Sequence, residues 1–278
     1  MPALPGADAV LERAGGENFS VASVVLGPER RDHLLAIYGF ARLVDQIGDA
    51  VAGDRLAQLD ALERELDAVF DAGTPEHPLM QRLVPTVRAL ALPRGPFERL
   101  VEANRRDQRV VDYATFDELA GYCELSANPV GELVLHVFGV ATPERIALSD
   151  RVCTALQLAE HWQDVAEDHA AGRIYLPAED RERFGVERED LGAATAGAAL
   201  RELLAFEVER GRALLDEGAP LVGTLRGRAR VAVAGYVGGG RAAFDAIRAA
   251  GYDVLAGPPK AGKAKRATTT LLTYARGR

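Results

Sequence analysis

Cysteine is nearly absent: only Cys123 and Cys153 occur in 278 residues. Without a C-x-x-C or a second pair, neither a disulfide framework nor a cysteine-rich zinc site can be assembled. Lysine is scarcer than its class would suggest. All three lysines, Lys260, Lys263 and Lys265, fall in one short segment with Arg266, while arginine serves everywhere else. No apolar run reaches the roughly 18 residues a membrane-spanning helix needs. The longest, from Leu133 to Ala141, is interrupted by His136 and Gly139. The opening Met-Pro-Ala-Leu-Pro-Gly-Ala-Asp has no basic segment followed by an apolar one, so no secretory signal is expected and the cytoplasm is the expected compartment. Positive charge is also in deficit. The net charge of −8 and pI ≈ 5.3 disfavour a phosphate backbone as partner, which excludes nucleic-acid binding as the expected function.

What is present is helical periodicity. Leu34, Leu35, Tyr38, Ala41, Leu43 and Val44 form one stripe, and Leu56, Leu59, Leu62, Leu66, Val69 and Phe70 a second. Asp54 is placed to cap the second helix and Gly73-Thr74-Pro75 to close it. Further breaks fall at Pro93–Pro96, at Thr142-Pro143, at Gly218–Pro220 and at Gly257-Pro258-Pro259. No alternating strand pattern and no repeat period appear, so the expected class is all-α.

Chemistry concentrates in two segments with aspartates four apart, Asp45/Asp49 and Asp164/Asp168. Residues at that spacing share a helix face, so each pair aims two carboxylates at one place. Spacing alone means little, because Asp67/Asp71 has it too and reads as solvated surface. The two chosen pairs differ in lying on otherwise apolar helices, where acids are costly unless cations neutralise them. Hard oxygen ligands suit Mg²⁺, and Mg²⁺ suits phosphate oxygens. Arg42 precedes Asp45 by three residues and Arg173 follows Asp168 by five, so acids for metal and arginines for oxyanions read together as a diphosphate site. A di-iron centre would need Glu-x-x-His, which does not occur. His161 and His169 read as structural or solvent-facing. Neither Gly-x-Ser-x-Gly nor a phosphate loop is present, and Gly238-Gly239-Gly240 lacks the Lys-Ser/Thr that would complete one.

Taken together these motifs resemble the squalene/phytoene synthase family of head-to-head prenyl transferases over residues 17–255. Ile37 to Asp49 is similar to that family's first aspartate-rich motif, and Gln163 to Asp168 with the trailing Gly172-Arg173-Ile174-Tyr175-Leu176-Pro177 to its second. Tyr122-Cys123-Glu124-Leu125-Ser126-Ala127-Asn128-Pro129-Val130-Gly131, with Trp162-Gln163-Asp164 and Glu17-Asn18-Phe19, resembles the bacterial hydroxysqualene synthase branch. The resemblance implies a single-domain isoprenoid-synthase-type helical bundle with a central active-site cavity. It implies residues 1–16 as an N-terminal extension and 256–278 as a basic C-terminal tail. The tail's own composition admits two readings that sequence does not separate, a solvated, mobile linker or a segment weakly attracted to an anionic membrane surface or a polyphosphate ligand.

The resemblance further implies Mg²⁺ held by Asp45, Asp49, Asp164 and Asp168. Glu160, on the same helix face by spacing, is expected to join them. Tyr122 is implied as a catalytic tyrosine. Arg42, Asn18, Phe19, Tyr38, Gln157, Arg173, Tyr175 and Tyr236 are implied as substrate contacts. Gln46 and Ala50 stand where relatives have acids, Glu160 where they have asparagine, and His161 where they have an apolar residue. The implied reaction ionises presqualene diphosphate, lets the cation rearrange and captures it with water to give hydroxysqualene, at the inner face of the membrane. Phe40, Phe138 and Trp162, with Phe19 and Tyr122, are aromatic faces that could steady the cation. Other head-to-head syntheses from farnesyl or geranylgeranyl diphosphate, or a non-catalytic relative acting as an assembly factor, are the alternatives.

Overall fold

A computed structural model describes residues 4–6, 27–49, 53–71 and 73–278. Among them the all-α expectation holds. No strand forms, and the only extended pairing is a single parallel bridge between Asp112 and Ile174. No helix of the described residues is long and apolar enough to cross a membrane. The chain forms two compact units. One takes the residues up to Arg109 together with Pro129–Thr142, and the other takes Val110–Asn128 together with Pro143–Arg278.

In the first unit, α1 (Pro28–Asp49), α2 (Arg55–Phe70), α3 (Pro78–Leu90) and α4 (Gly95–Asp107) pack on one another. Leu34, Ile37, Phe40, Leu43, Val44 and Ile47 recur at three- and four-residue steps, and all are buried. Burying each such side chain contributes about 1.5–3 kcal/mol. Phe40 stands edge-on to Phe97 of α4, with ring centroids 5.1 Å apart, so it belongs to the core. Asp54 caps α2 as its sequence suggests, accepting the Ala57 N–H at 3.0 Å. Glu65 accepts the His77 N–H at 2.9 Å, and the His77 ring in turn caps α3 by accepting from Leu79.

The second unit holds α5 (Phe116–Ser126), α7 (Pro143–Gln163), α8 (Val165–Ala170), α9 (Ala178–Phe184), α10 (Ala198–Gly218), α11 (Leu221–Thr224), α12 (Gly227–Ala249) and α13 (Lys263–Arg276), with α6 (Asn128–Val137) beginning at its boundary. Pro143 opens α7 as the sequence suggests. The long helices α7, α10 and α12 approach closely because glycines sit at their crossings. A Cβ on Gly211 would lie 2.8 Å from both Trp162 and Phe244, and one on Gly218 would lie 2.7 Å from the Leu148 carbonyl oxygen. Trp162 is fully buried at this crossing, 6.2 Å from Phe244, so it too is core.

The Gly238-Gly239-Gly240 run lies inside α12. A Cβ on Gly238 would come within 2.6 Å of the Thr270 backbone on α13, and one on Gly240 within 2.7 Å of Leu156 on α7. The run is a packing device. The segment read as a solvated, mobile tail is therefore corrected: residues 263–276 are helical, with Thr273 buried against the rest of the unit and Lys265 paired to Asp245 at 2.8 Å.

Candidate active site

The first motif sits on α1. Because the apolar stripe faces the core, Tyr38, Arg42 and Asp45 come to lie along its edge, only part-buried. Arg42 Nη1 stands 3.7 Å from Asp45 Oδ2, and the Asp45 side chain is 48% exposed. Gly48 lets Asn104 come close, since a Cβ would lie 2.0 Å from Asn104 Oδ1 and the Asn104 side chain would have to turn away to admit it. Gln108 Nε2 donates to the Gly48 carbonyl at 3.1 Å and ties down the end of α1. Gln46 Oε1 is buried and accepts no hydrogen bond among the described residues. Asn18, Phe19 and Ala50 lie outside the described residues, as does the side chain of Asp49.

The second motif sits where α7 gives way to α8. Asp164 occupies the break, with φ −104° and ψ 18°. Its N–H still donates to Glu160 O at 3.0 Å, and Asp168 N–H donates to Asp164 O at 2.8 Å. The four-residue relationship therefore survives the kink. Burial, then Glu167 and Asp168, push the Asp164 carboxyl above its ordinary pKa, while Lys260 and His161 act in the opposite sense. Lys260 reaches this place because Gln163 Nε2 hydrogen-bonds the Pro259 carbonyl. Glu160, expected beside the metals, is exposed on α7. Glu167, which sequence reasoning passed over, is the largest like-charge influence on Asp164 after burial itself.

Around these acids lies an aromatic cluster. Tyr122, Tyr113 and Tyr175 are buried with centroids 5.6–5.9 Å apart. The His161 ring stacks on Tyr175 at 3.6 Å with planes 14° apart. His161 is only 7% exposed, so of the two readings open in sequence, structural or solvent-facing, the buried structural one describes it. Its Nε2 meets Gln157 Nε2 at 3.1 Å, and its Nδ1 lies 3.9 Å from Asp168 Oδ2. His169 is part-buried and its ring lies beside Gly192, 3.0 Å from where a Cβ there would be. A pocket of about 10 Å³, the space of a single water, is lined by His161, Asp168, Arg173 and Tyr175 together with Leu176 and Leu191. Sequence-chosen Gln157, Asp168, Arg173, Tyr175 and Tyr122 are thus brought together. Tyr236 is not among them. It lies on α12 beside Cys153, where burial pushes its hydroxyl up to about 12.

Arg173 and Tyr175 are carried by an extended segment whose course is set by Gly172 (φ +82°), the left-handed residue that ends α8. Arg173 N–H donates to Asp168 O at 2.8 Å and Ile174 N–H to Val111 O at 2.7 Å. The segment is then clamped by Arg181, a buried residue that donates through Nε to Leu176 O at 3.1 Å and through Nη2 to both Asp112 oxygens at 2.9 Å. Neither Arg181 nor Asp112 was visible as a functional candidate in sequence, since 69 positions separate them. Cys123 is fully buried, with its thiol pushed up to about 12, and has no nucleophilic character.

The donors suit a hard divalent cation. Mg²⁺ takes oxygen ligands and is usually held by one or two carboxylates, with water and substrate phosphate filling the rest. Burial and like charge already penalise ionised Asp164, and a cation would relieve both. Among the described residues no three or more His, Cys, Asp or Glu side chains are grouped so that they could together hold a metal ion, so water and substrate oxygens would have to supply most of the ligands.

Comparison with known proteins places this arrangement. The model of a family described as squalene/phytoene synthase matches residues 12–271. The chain is 36% identical over 218 residues to a hydroxysqualene synthase of Rhodopseudomonas palustris, covering 76% of this chain and 72% of that one. It is 30% identical over 269 residues to a chloroplastic phytoene synthase of Daucus carota, covering 94% and 67%. Among solved structures, squalene synthase HpnC from Alicyclobacillus acidocaldarius superposes with a TM-score of 0.83 at 44% identity, over 88% of this chain and 94% of that one. The chain belongs to the squalene/phytoene synthase family and is a prenyl-transferring synthase of that kind.

Proposed function

We propose that the enzyme converts presqualene diphosphate to hydroxysqualene in a Mg²⁺-dependent reaction. The observation that carries this reading is the crowding of Asp164, Glu167 and Asp168 beside a pocket lined by Arg173 and Tyr175. A pyrophosphate–metal complex would complement those acids and that arginine. The similarity to proteins named hydroxysqualene synthase supports the choice of product.

In this reading Asp45 and Asp49 would hold Mg²⁺ on the first motif, and Asp164 and Asp168 would do so on the second. The bound cation would supply positive charge to the departing diphosphate. Arg42 and Arg173 bind its oxygens. The carbon–oxygen bond breaks with its electron pair departing on the diphosphate, and the ring faces of Tyr122 and Tyr175 stabilise the carbocation. The wall of buried aromatics delays water until rearrangement is complete. Water then adds and loses a proton. The two long apolar chains of the substrate and the uncharged product place the reaction at a lipid surface.

The test is product analysis by GC–MS after incubation with presqualene diphosphate and Mg²⁺, without reductant. Hydroxysqualene is the expected product. Dominant squalene or C40 hydrocarbon, or consumption of farnesyl diphosphate alone, would overturn the assignment, and full turnover in excess EDTA would overturn the metal.

A further inference from the structure

The C-terminal helix α13 is amphipathic in the wrong sense for a surface helix. The side it turns to the rest of its unit carries threonines: Thr273 is buried, and Thr269 and Thr270 are half-buried. The side it turns to solvent carries Ala264, Ala267, Leu271 and Ala275 at steps of three and four, with Leu272 and Tyr274 beside them, all exposed. Leu271 is 68% and Leu272 47% exposed. Nothing among the described residues covers this stripe. The glycine contacts lock it in place, because Gly238 admits the Thr270 backbone and Gly223 admits the Gly277 carbonyl, 2.8 Å from where a Cβ would be. Arg230 further donates to the Tyr274 carbonyl at 2.6 Å, its guanidinium lying over that ring.

Charge selects the occupant. Beyond Asp253 the chain has no acid and six cations, Lys260, Lys263, Lys265, Arg266, Arg276 and Arg278, in a protein of net charge −8. At 100° per residue Lys263 and Lys265 leave the helix about 80° either side of Thr273, along the two borders of the apolar stripe. An apolar face edged by basic side chains that can reach past it fits a bilayer interface with anionic headgroups. A symmetric contact between two copies would press like charges together.

We infer that the outward face of α13, with Leu271, Leu272 and Tyr274 inserted and Lys263 and Arg276 at the headgroups, docks the enzyme on anionic membranes. The inference draws on the proposed function only for why a lipid surface is met. Its test reads partition instead of turnover, so the two can fail separately.

The full chain is sedimented with phosphatidylglycerol/phosphatidylcholine vesicles and with pure phosphatidylcholine vesicles over a range of salt. Wild type should bind the anionic vesicles, release as salt rises, and bind neutral vesicles weakly. Leu271→Ser with Leu272→Ser should lower the partition coefficient about tenfold. Lys263→Gln and Arg276→Gln should each lower it about fivefold at low salt, following the roughly 1 kcal/mol carried by one charge near such a surface. All four substitutions are at exposed positions, and circular dichroism should remain that of wild type. Equal partition into both vesicle types, or leucine variants that bind as wild type does, would overturn the inference. A concentration-dependent dimer that the leucine variants abolish, with no vesicle binding, would reassign the face to a second copy.

Discussion

His161 lies flat on Tyr175, ring centroids 3.6 Å apart and planes 14° apart, and so joins helix α7 to the extended segment that follows α8. The imidazole also holds Gln157 through Nε2. Stacking and hydrogen bonding can be separated by substitution. His161→Phe keeps the stack and should cost about 1 kcal/mol through the lost hydrogen bond, whereas Tyr175→Leu removes the stack and should cost about 2 kcal/mol. Urea denaturation of the two variants measures both.

Asp164 trades stability for function. Its carboxyl sits above the ordinary range because burial and the neighbouring Glu167 and Asp168 disfavour the charge. A raised acid binds its proton more tightly folded than unfolded, so its ionisation destabilises the fold as pH rises through its folded value. Asp164→Asn should therefore raise the Tm in EDTA at neutral pH, and the advantage should vanish in acid where wild type is protonated too. The same variant should lose turnover and the stabilisation that Mg²⁺ gives wild type. Glu160→Asn, at an exposed position, should leave the dependence of activity on Mg²⁺ unchanged.

Removing the Arg181 clamp should disturb the site from outside it. Arg181→Ala leaves Asp112 with Arg188 alone and frees the Leu176 carbonyl. The expected loss is about 2–3 kcal/mol, the range for hydrogen bonds to charged groups. Because Arg173 and Tyr175 precede the freed carbonyl, kcat should fall along with stability. Steady-state kinetics well below the unfolding transition would register that fall, and unchanged kinetics would confine the clamp to folding.

Glu207, fully buried on α10, has its carboxyl pushed up to about 8 from an ordinary 4.5, chiefly by burial and also by Asp180; Arg210 opposes the shift. Arg210 pairs with Asp180 at 2.7 Å and with Glu207 itself at 3.3 Å, its guanidinium 4.2 Å from the Phe116 and 4.5 Å from the Phe206 ring centroid. The folded state thus holds a proton that the unfolded chain gives up near pH 4.5. Stability from this group is complete in acid, declines through the neutral range and is lost above about 8. Thermal unfolding of Glu207→Gln across that window should be flatter with pH than that of wild type.

Helices with long apolar stripes and standard caps were legible from composition and spacing alone, as Asp54 and Pro143 illustrate. The grouping of Arg42 with Asp45, and of Asp168 with Arg173, was legible because those partners are close in sequence. What stayed hidden depends on distant pairing. Asp112 and Arg181 carry no motif, and Glu207 reads in sequence as one more surface acid. Helix α13 was misread for a different reason. Its three successive threonines and basic entry resemble a tail, and β-branched residues are weak helix formers. Its helicity comes from tertiary contact along α12.

The glycine run in α12 makes the mutational tolerance of three adjacent positions alternate sharply. Gly238 faces Thr270 and Gly240 faces Leu156 and Leu215, but a Cβ at Gly239 would meet nothing within 4 Å. Alanine at the middle position should improve the helix by up to about 1 kcal/mol, as expected when glycine is replaced in a helix interior. Alanine at Gly238 would lever α13 away, and alanine at Gly240 would wedge apart the helices beneath it. Natural variation can therefore enter this stretch freely at its centre, at Gly240 only where Leu156 and Leu215 repack, and at Gly238 only by moving the α13 backbone.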